Sequence, residues 1–435
     1  MTLAKDGYIP RIIDERLEQY LRVFGAVQLR GPKWCGKTWT ALHKAQSATM
    51  LMDPIEGAAA KLRAELNPTL ILEGAKPRLI DEWQEVEGVW DAVRYAVDQS
   101  SGKGQYILTG SIKPRRKKYR HSGAGRIATL QMSPMTLSES GDSSNQISLA
   151  SLFDGDFPQP LVADIGLKEL IDLTVRGGWP DALDVAPADY QIAPQGYIDA
   201  IVNNELFDEE SPQRDAAKLK RLLYALARTN TGLVNDSALT SDYLGAALHD
   251  SSLNEDHVIT VARSSVDEYL SELRKVFIIE DVAPWDPKIR SRVRIRQAPK
   301  RMFVDPSLAI ASLGIGAGKL YEDLMTYGLM FENLVLRDLR VYARASNGEV
   351  FHYRDNSDLE IDAIVELQDG LWGAFEIKLG EHQVDGAAKQ LLRLKDKIIG
   401  AGGKPPACLG VITGGGTGWM RDDGVAVIPI NAFCA

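Results

Sequence analysis

Cysteine is scarce. Three residues in 435 (Cys35, Cys408 and Cys434) make neither an even disulfide set nor a metal-binding spacing, and they fit a reducing cytoplasm. Long hydrophobic runs are missing as well: no stretch approaches the roughly 18 consecutive apolar residues of a membrane helix. The opening residues, Met1-Thr2-Leu3-Ala4-Lys5-Asp6-Gly7, lack the apolar core of a signal peptide. A cytoplasmic protein with no membrane partner is expected. Internal repeats and low-complexity tracts are absent too. A surplus of positive charge is also lacking, since the formal net charge is −9, which argues against a generically basic nucleic-acid binder. What remains is ordinary for a folded chain, with 45% hydrophobic and 25% charged residues. At roughly 150 residues per domain the length suits two to four domains.

The average charge conceals two cationic strips. Residues 113–126 (Lys-Pro-Arg-Arg-Lys-Lys-Tyr-Arg-His-Ser-Gly-Ala-Gly-Arg) and residues 288–301 (Lys-Ile-Arg-Ser-Arg-Val-Arg-Ile-Arg-Gln-Ala-Pro-Lys-Arg) each hold seven Lys or Arg and no acid. The first reads equally well as a solvated loop. In the second, Arg290, Arg292, Arg294 and Arg296 alternate with Ser291, Val293 and Ile295, so a strand sets four guanidiniums on one face. Such a row repels itself unless a polyanion or carboxylates neutralise it. A DNA phosphate backbone is the natural partner; an edge strand guarded by charge against aggregation is the alternative.

Short apolar runs at 25–30, 48–52, 78–80 and 105–108 alternate with helical patterns at 11–24, 39–45 and 89–97, as in a parallel α/β sheet. The Ser-, Gly- and Asp-rich stretch 139–159 reads as a loop. From about 167 to 314 the pattern is mainly helical, including a basic amphipathic stretch at 218–227 and another amphipathic one at 265–276. Two β-prone runs and a third at 301–304 follow, as in a winged-helix unit. A long helical pattern at 319–343 leads to β runs at 349–353, 359–366 and 371–377, with a tight turn at Gln368-Asp369-Gly370. A helix at 384–398 and a final strand at 407–412 complete the pattern.

Gly31-Pro32-Lys33-Trp34-Cys35-Gly36-Lys37-Thr38 fits G-x-x-x-x-G-K-[ST] between a predicted strand and a predicted helix. Gly31 and Gly36 let backbone N–H groups curl around phosphate, Lys37 supplies charge, and Thr38 is suited to Mg²⁺. Cys35 reads as a packing residue. Arg78-Leu79-Ile80 ends in Asp81 and Glu82, placing Asp81 to hold the metal and Glu82 to activate the attacking water. A surface acidic pair at a helix start is the alternative. Thr109, at the end of the next strand, is suited to sense the γ-phosphate or hold the water, and Arg126 to stabilise transition-state charge in trans. A turn and a surface arginine are the plainer readings. A role in trans implies a homo-oligomer.

A second constellation lies near the C-terminus. Asp362 sits in one predicted strand and Phe375-Glu376-Ile377-Lys378 in the next. Alternation sets Glu376 and Lys378 on one face, and a simple hairpin about the 368–370 turn sets Asp362 opposite Glu376. Facing carboxylates repel unless a cation lies between them. Mg²⁺ suits that place, with Lys378 to orient or deprotonate a water and Glu332 of the preceding helix as a further ligand. An exposed polar hairpin face with one salt bridge is the alternative.

Together the two sets resemble a widespread prokaryotic family of AAA-type P-loop ATPases fused to a C-terminal domain of unknown function with a restriction-endonuclease-like core. The resemblance runs nearly full length. It rests on 31–38 with its Trp-Cys interior, 79–84, 108–111, 123–126 and Arg176-Gly177-Gly178-Trp179-Pro180. It continues through Phe331-Glu332-Asn333, Glu360-Ile361-Asp362 and Glu376-Ile377-Lys378. It implies an α/β multidomain fold: a P-loop ATPase core at 1–165, a helical lid or connector at 166–230, a winged-helix-like domain at 231–315 and a PD-(D/E)XK nuclease-like domain at 316–435. Asp362, Glu376 and Lys378 map onto the nuclease motif, with Ile361 where the nominal motif has Pro. The implied function is Mg²⁺-dependent ATP binding and hydrolysis with engagement of DNA. The nuclease-like fold serves either cleavage or binding.

Overall fold

The computed structural model describes residues 6–100, 102–110, 122–158, 160–163, 165–205, 216–233, 236–244, 255–288 and 297–435. The alternating arginines Arg290, Arg292, Arg294 and Arg296 and most of the 113–126 strip lie outside the described residues. The chain divides into two compact units, one comprising Met1–Pro134 with Lys275–Phe277 and the other Met135–Arg274 with Ile278–Ala435.

The first unit is built on five strands: β1 (Ala26–Arg30), β2 (Ser47–Met50), β3 (Arg78–Asp81), β4 (Tyr106–Thr109) and β5 (Ile127–Gln131). All pairings are parallel, in the order β2-β3-β4-β1-β5. A parallel sheet is covered on both faces, so its strands read as nearly continuous apolar runs. Here Ala26, Ile80 and Leu108 pack with Trp83, Trp90 and Val93. Their neighbours Val27, Leu29, Leu79 and Ile107 pack with Leu17, Ala41 and Ala45. The period-two alternation sends successive residues into two separate cores.

In the second unit, β6 (Ile147–Ser148) and β7 (Leu161–Ala163) precede the helices, and β8 (Ile279–Pro284) and β9 (Lys300–Phe303) follow them. Then come β10 (Gly348–Arg354), β11 (Glu360–Leu367), β12 (Trp372–Lys378), β13 (Cys408–Thr413), β14 (Gly416–Met420), β15 (Ala426–Pro429) and β16 (Phe433–Cys434). Nine of them form one mixed sheet in the order β7-β14-β15-β13-β12-β11-β10-β8-β9, while β16 pairs with β6. The helix Val384–Gly400 buries Ala387, Ala388, Leu391 and Leu394 with Ile364, Trp372, Ala374, Leu409 and Val411 of the sheet.

Three sequence expectations change. The 139–159 stretch contains β6 and the short helix Leu149–Asp154. Ser148 caps that helix by accepting from the Ser151 N–H at 3.0 Å, and Gly155 ends it in the left-handed region. The strand at 408–413 is not the last, because β14 and β15 extend the sheet. The hairpin expected of a winged-helix unit also joins that sheet: β8 pairs antiparallel with β9 and parallel with β10. Among the described residues no helix is long and apolar enough to cross a membrane.

A buried charge network anchors the second unit. Arg337 donates to Asp305 at 2.8 Å and pairs with Asp338 at 2.7 Å, all three side chains being at most 2% exposed. Asp338 also accepts the Leu137 N–H, and Asp305 the Gly178 N–H, both at 3.0 Å. This explains the paired glycines. A Cβ on Gly178 would come 2.1 Å from the Met135 carbonyl oxygen, and Gly177, at φ +73°, passes against Asp305 and Ser307. Removing one partner of such a network strands the others without compensation. Arg337→Met should lower stability by about 3–5 kcal/mol, read as a shift of the urea midpoint.

Candidate nucleotide site and carboxylate–lysine cluster

β1 delivers the chain to Gly31 and the helix Lys37–Lys44 carries it away. Between them the backbone makes a tight loop that two glycines permit. A Cβ on Gly31 would lie 2.2 Å from the Met132 carbonyl oxygen, and Gly36 stands at φ +98°, where β-carbons are strained. The loop closes on the first turn of a helix, whose unbonded N–H groups suit phosphate. Lys37 is buried, and its ammonium donates to the carbonyls of Gly31 at 3.1 Å and Pro32 at 2.6 Å.

Strand order assembles the rest. Because β4 lies between β1 and β3, Thr109 is in register with Leu29 on one side and Asp81 on the other. Thr109 donates to Asp81 Oδ1 at 2.5 Å, and Thr38 donates to the same oxygen at 2.8 Å. Burial raises the Asp81 carboxyl above its ordinary range, against the pull of these two hydroxyls. A threonine hydroxyl meeting a carboxylate beside a phosphate loop is the hard-oxygen donor set that Mg²⁺ takes. Glu82 follows at φ +55° and accepts a hydrogen bond from the Gln84 side chain.

Two further residues bear on this site. Arg126 sits immediately before β5, whose first residue is in register with Ala26, at the end of the sheet opposite the phosphate loop. It pairs there with Asp98 at 2.7 Å, so within its own chain it does not reach the loop. Arg11 was missed by sequence reasoning. Buried, it donates to the carbonyls of Cys35 at 2.7 Å and Ser133 at 2.9 Å, tying the inside of the loop to the segment after β5. Nothing in a lone Pro-Arg before a helix signals that tie. Cys35 is buried, as its packing role requires.

In the second unit the expected hairpin forms in the expected register. Ala363 faces Phe375 and Ile364 faces Ala374, which continues to Asp362 opposite Glu376. The turn is as read: Gly370 has φ +82°, and Asp369 accepts the Leu371 N–H at 3.0 Å. Lys378 bridges the carboxylates, 2.8 Å from Asp362 Oδ2 and 2.6 Å from Glu376 Oε2. Glu332 is brought to the same cluster. Lys300, not singled out from sequence, joins it: its ammonium lies 2.7 Å from Glu332, 3.6 Å from Asp362 Oδ1 and 3.8 Å from Glu360. Its place within a basic strip disguised it as one more surface charge. Among the described residues no group of three acidic, histidine or cysteine side chains is set to hold a metal ion.

Burial raises Glu332 and Glu376 and the Asp362 charge adds to both; together these outweigh the opposing pull of Lys300 on Glu332 and of Lys378 on Glu376. Burial would raise Asp362 too, but Lys378 and Lys300 hold it below its ordinary value. Glu376, pushed from its ordinary 4.5 to about 8, keeps in the folded state a proton that the unfolded chain releases. Its contribution is therefore complete below pH 4.5 and lost as pH rises through about 8. Glu376→Gln should flatten that part of the stability–pH profile, read as thermal midpoints across the same window.

Three family models match successive stretches of the chain. The model of the AAA domain family matches residues 24–141, and two domains of unknown function, DUF8612 and DUF4143, match residues 167–319 and 327–433. No curated protein matches the chain. Among solved structures, a Walker-type ATPase of Pyrococcus abyssi overlaps 70% of this chain and 96% of its own at 16% identity and a TM-score of 0.40. AMPPCP-bound DnaA from Aquifex aeolicus overlaps 59% and 92% at 10% identity and a TM-score of 0.26. The family match and the parallel sheet around the phosphate loop agree on an AAA-type P-loop fold for residues 24–141.

Proposed function

We propose that the chain is a Mg²⁺-dependent ATPase of the AAA type that engages DNA and carries a nuclease-like C-terminal domain. The observation that supports hydrolysis best is the meeting of Thr38 and Thr109 on one oxygen of Asp81 below the phosphate loop. Loop N–H groups and Lys37 would bind the phosphates, while Thr38 and Asp81 would hold Mg²⁺, directly or through its waters. Bound there, the metal supplies charge neutralisation to the transferred phosphoryl group. Glu82, next in chain to Asp81, would take the proton of the attacking water, and Thr109 would orient that water or sense the γ-phosphate. Arg126, remote from its own loop, would act only on a neighbouring subunit.

The DNA assignment rests on the alternating guanidiniums of Arg290, Arg292, Arg294 and Arg296, which suit a phosphate backbone. Asp362, Glu376 and Lys378 are the signature residues of the nuclease-like domain. A second reading keeps ATP and DNA binding, or interaction with a protein, and drops the nuclease chemistry. One observation favours it: both carboxylate oxygens of Asp362 already face lysine ammonium groups.

Two experiments check this. Lys37→Ala should abolish ATP turnover, and Glu82→Gln should leave ATP binding intact while slowing hydrolysis by about 10²–10⁴-fold. Normal turnover in Lys37→Ala would remove the assignment. DNA binding should weaken steeply between about 50 and 200 mM salt. Each of Arg292→Ala and Arg294→Ala should reduce the salt slope by about one; an unchanged slope means the strip does not contact phosphate.

A further inference from the structure

The cluster around Asp362 gathers four carboxylates, from Glu332, Glu360, Asp362 and Glu376, and two ammonium groups, from Lys300 and Lys378. The lysines differ in kind. Lys378 belongs to the same hairpin as Asp362 and Glu376, and its side chain is 27% exposed. Lys300 comes from β9, at the edge of the sheet, and its side chain is 3% exposed. A lysine so placed has left water entirely, and its charge persists only because acidic partners surround it.

Its position is the telling feature. Glu332 Oε1 at 2.7 Å and Asp362 Oδ1 at 3.6 Å are oxygens from a helix and a strand with one cation between them. Mg²⁺ demands near-octahedral oxygens at about 2.0–2.1 Å, which requires those same atoms to be available to it. They are engaged. Asp362 Oδ1 faces Lys300, while Oδ2 accepts from Lys378 at 2.8 Å and from the Ile377 N–H at 2.9 Å. Glu376 Oε2 pairs with Lys378, leaving Oε1 buried with no hydrogen-bond partner. Among the oxygens of Asp362 and Glu376, only Glu376 Oε1 is left beside the two ammonium groups, which is too little for a divalent-ion site.

We propose that Lys300 is the resident cation of this cluster: its ammonium stands between Glu332 and Asp362 where a divalent ion would sit, and the chain neutralises the site itself. The C-terminal domain then keeps the residue pattern of a metal-dependent nuclease without the metal, and works by binding. The inference is independent of the phosphate loop, so failure of ATP turnover leaves it untouched.

Mn²⁺ alone is the probe, titrated without nucleotide into the full-length chain and its variants and followed by electron paramagnetic resonance. Wild type should show no bound Mn²⁺ that Asp362→Asn removes. Lys300→Met should gain one such ion, with affinity at least about tenfold above wild type, and lose it when Asp362→Asn is added. A wild-type ion dependent on Asp362 overturns the proposal, as does a folded Lys300→Met chain that takes up none. If Lys300→Met fails to fold, Lys300→Gln replaces it. If that also fails, the wild-type titration decides by whether an Asp362-dependent ion is present.

Discussion

A carboxylate taken out of water has to find a partner, and that constraint organises both units. Asp81 is 7% exposed and is answered by two hydroxyls delivered by different elements. Asp305 and Asp338 are answered by Arg337. Asp362 is answered by two lysines. The chemistry of each place follows from the answering group. Neutral hydroxyls do not cancel the charge of Asp81, which suits the Mg²⁺ proposed there. A guanidinium locks its carboxylates into structure. Ammonium groups fill the position a metal would need.

The same logic explains why strand order matters more than any single motif. A phosphate loop by itself is a bent backbone with a lysine. Inserting β4 between β1 and β3 brings Thr109 beside Asp81, and the helix that follows the loop brings Thr38. The three residues come from distant parts of the sequence, and the parallel register makes them neighbours. In the second unit an antiparallel hairpin does this work locally, while β9 at the sheet edge adds Lys300.

Local features were legible in the sequence wherever they depended on neighbours in the chain. The loop at 31–38, the strand ending in Asp81 and the register about Gly370 are set by glycine conformation and period-two alternation, and all three stand as read. Features that depend on distant pairing were not legible. The β-prone runs point to β8 and β9 as strands but not to the pairing of β8 with β10, which a winged-helix reading of the hairpin does not contain. The direction in which Lys300 points is likewise set by where β9 docks. Arg11 belongs to this class, because its partners are carbonyls, which leave no mark on the sequence.

The central claim is that Asp81, held by Thr38 and Thr109, is the metal-binding half of a nucleotide site. Equilibrium binding of a fluorescent ATP analogue, with and without Mg²⁺, to wild type and Asp81→Asn tests it most directly. Mg²⁺ should tighten binding to wild type and have little effect on Asp81→Asn. Equal tightening in both chains, or no nucleotide binding by wild type, would contradict the account.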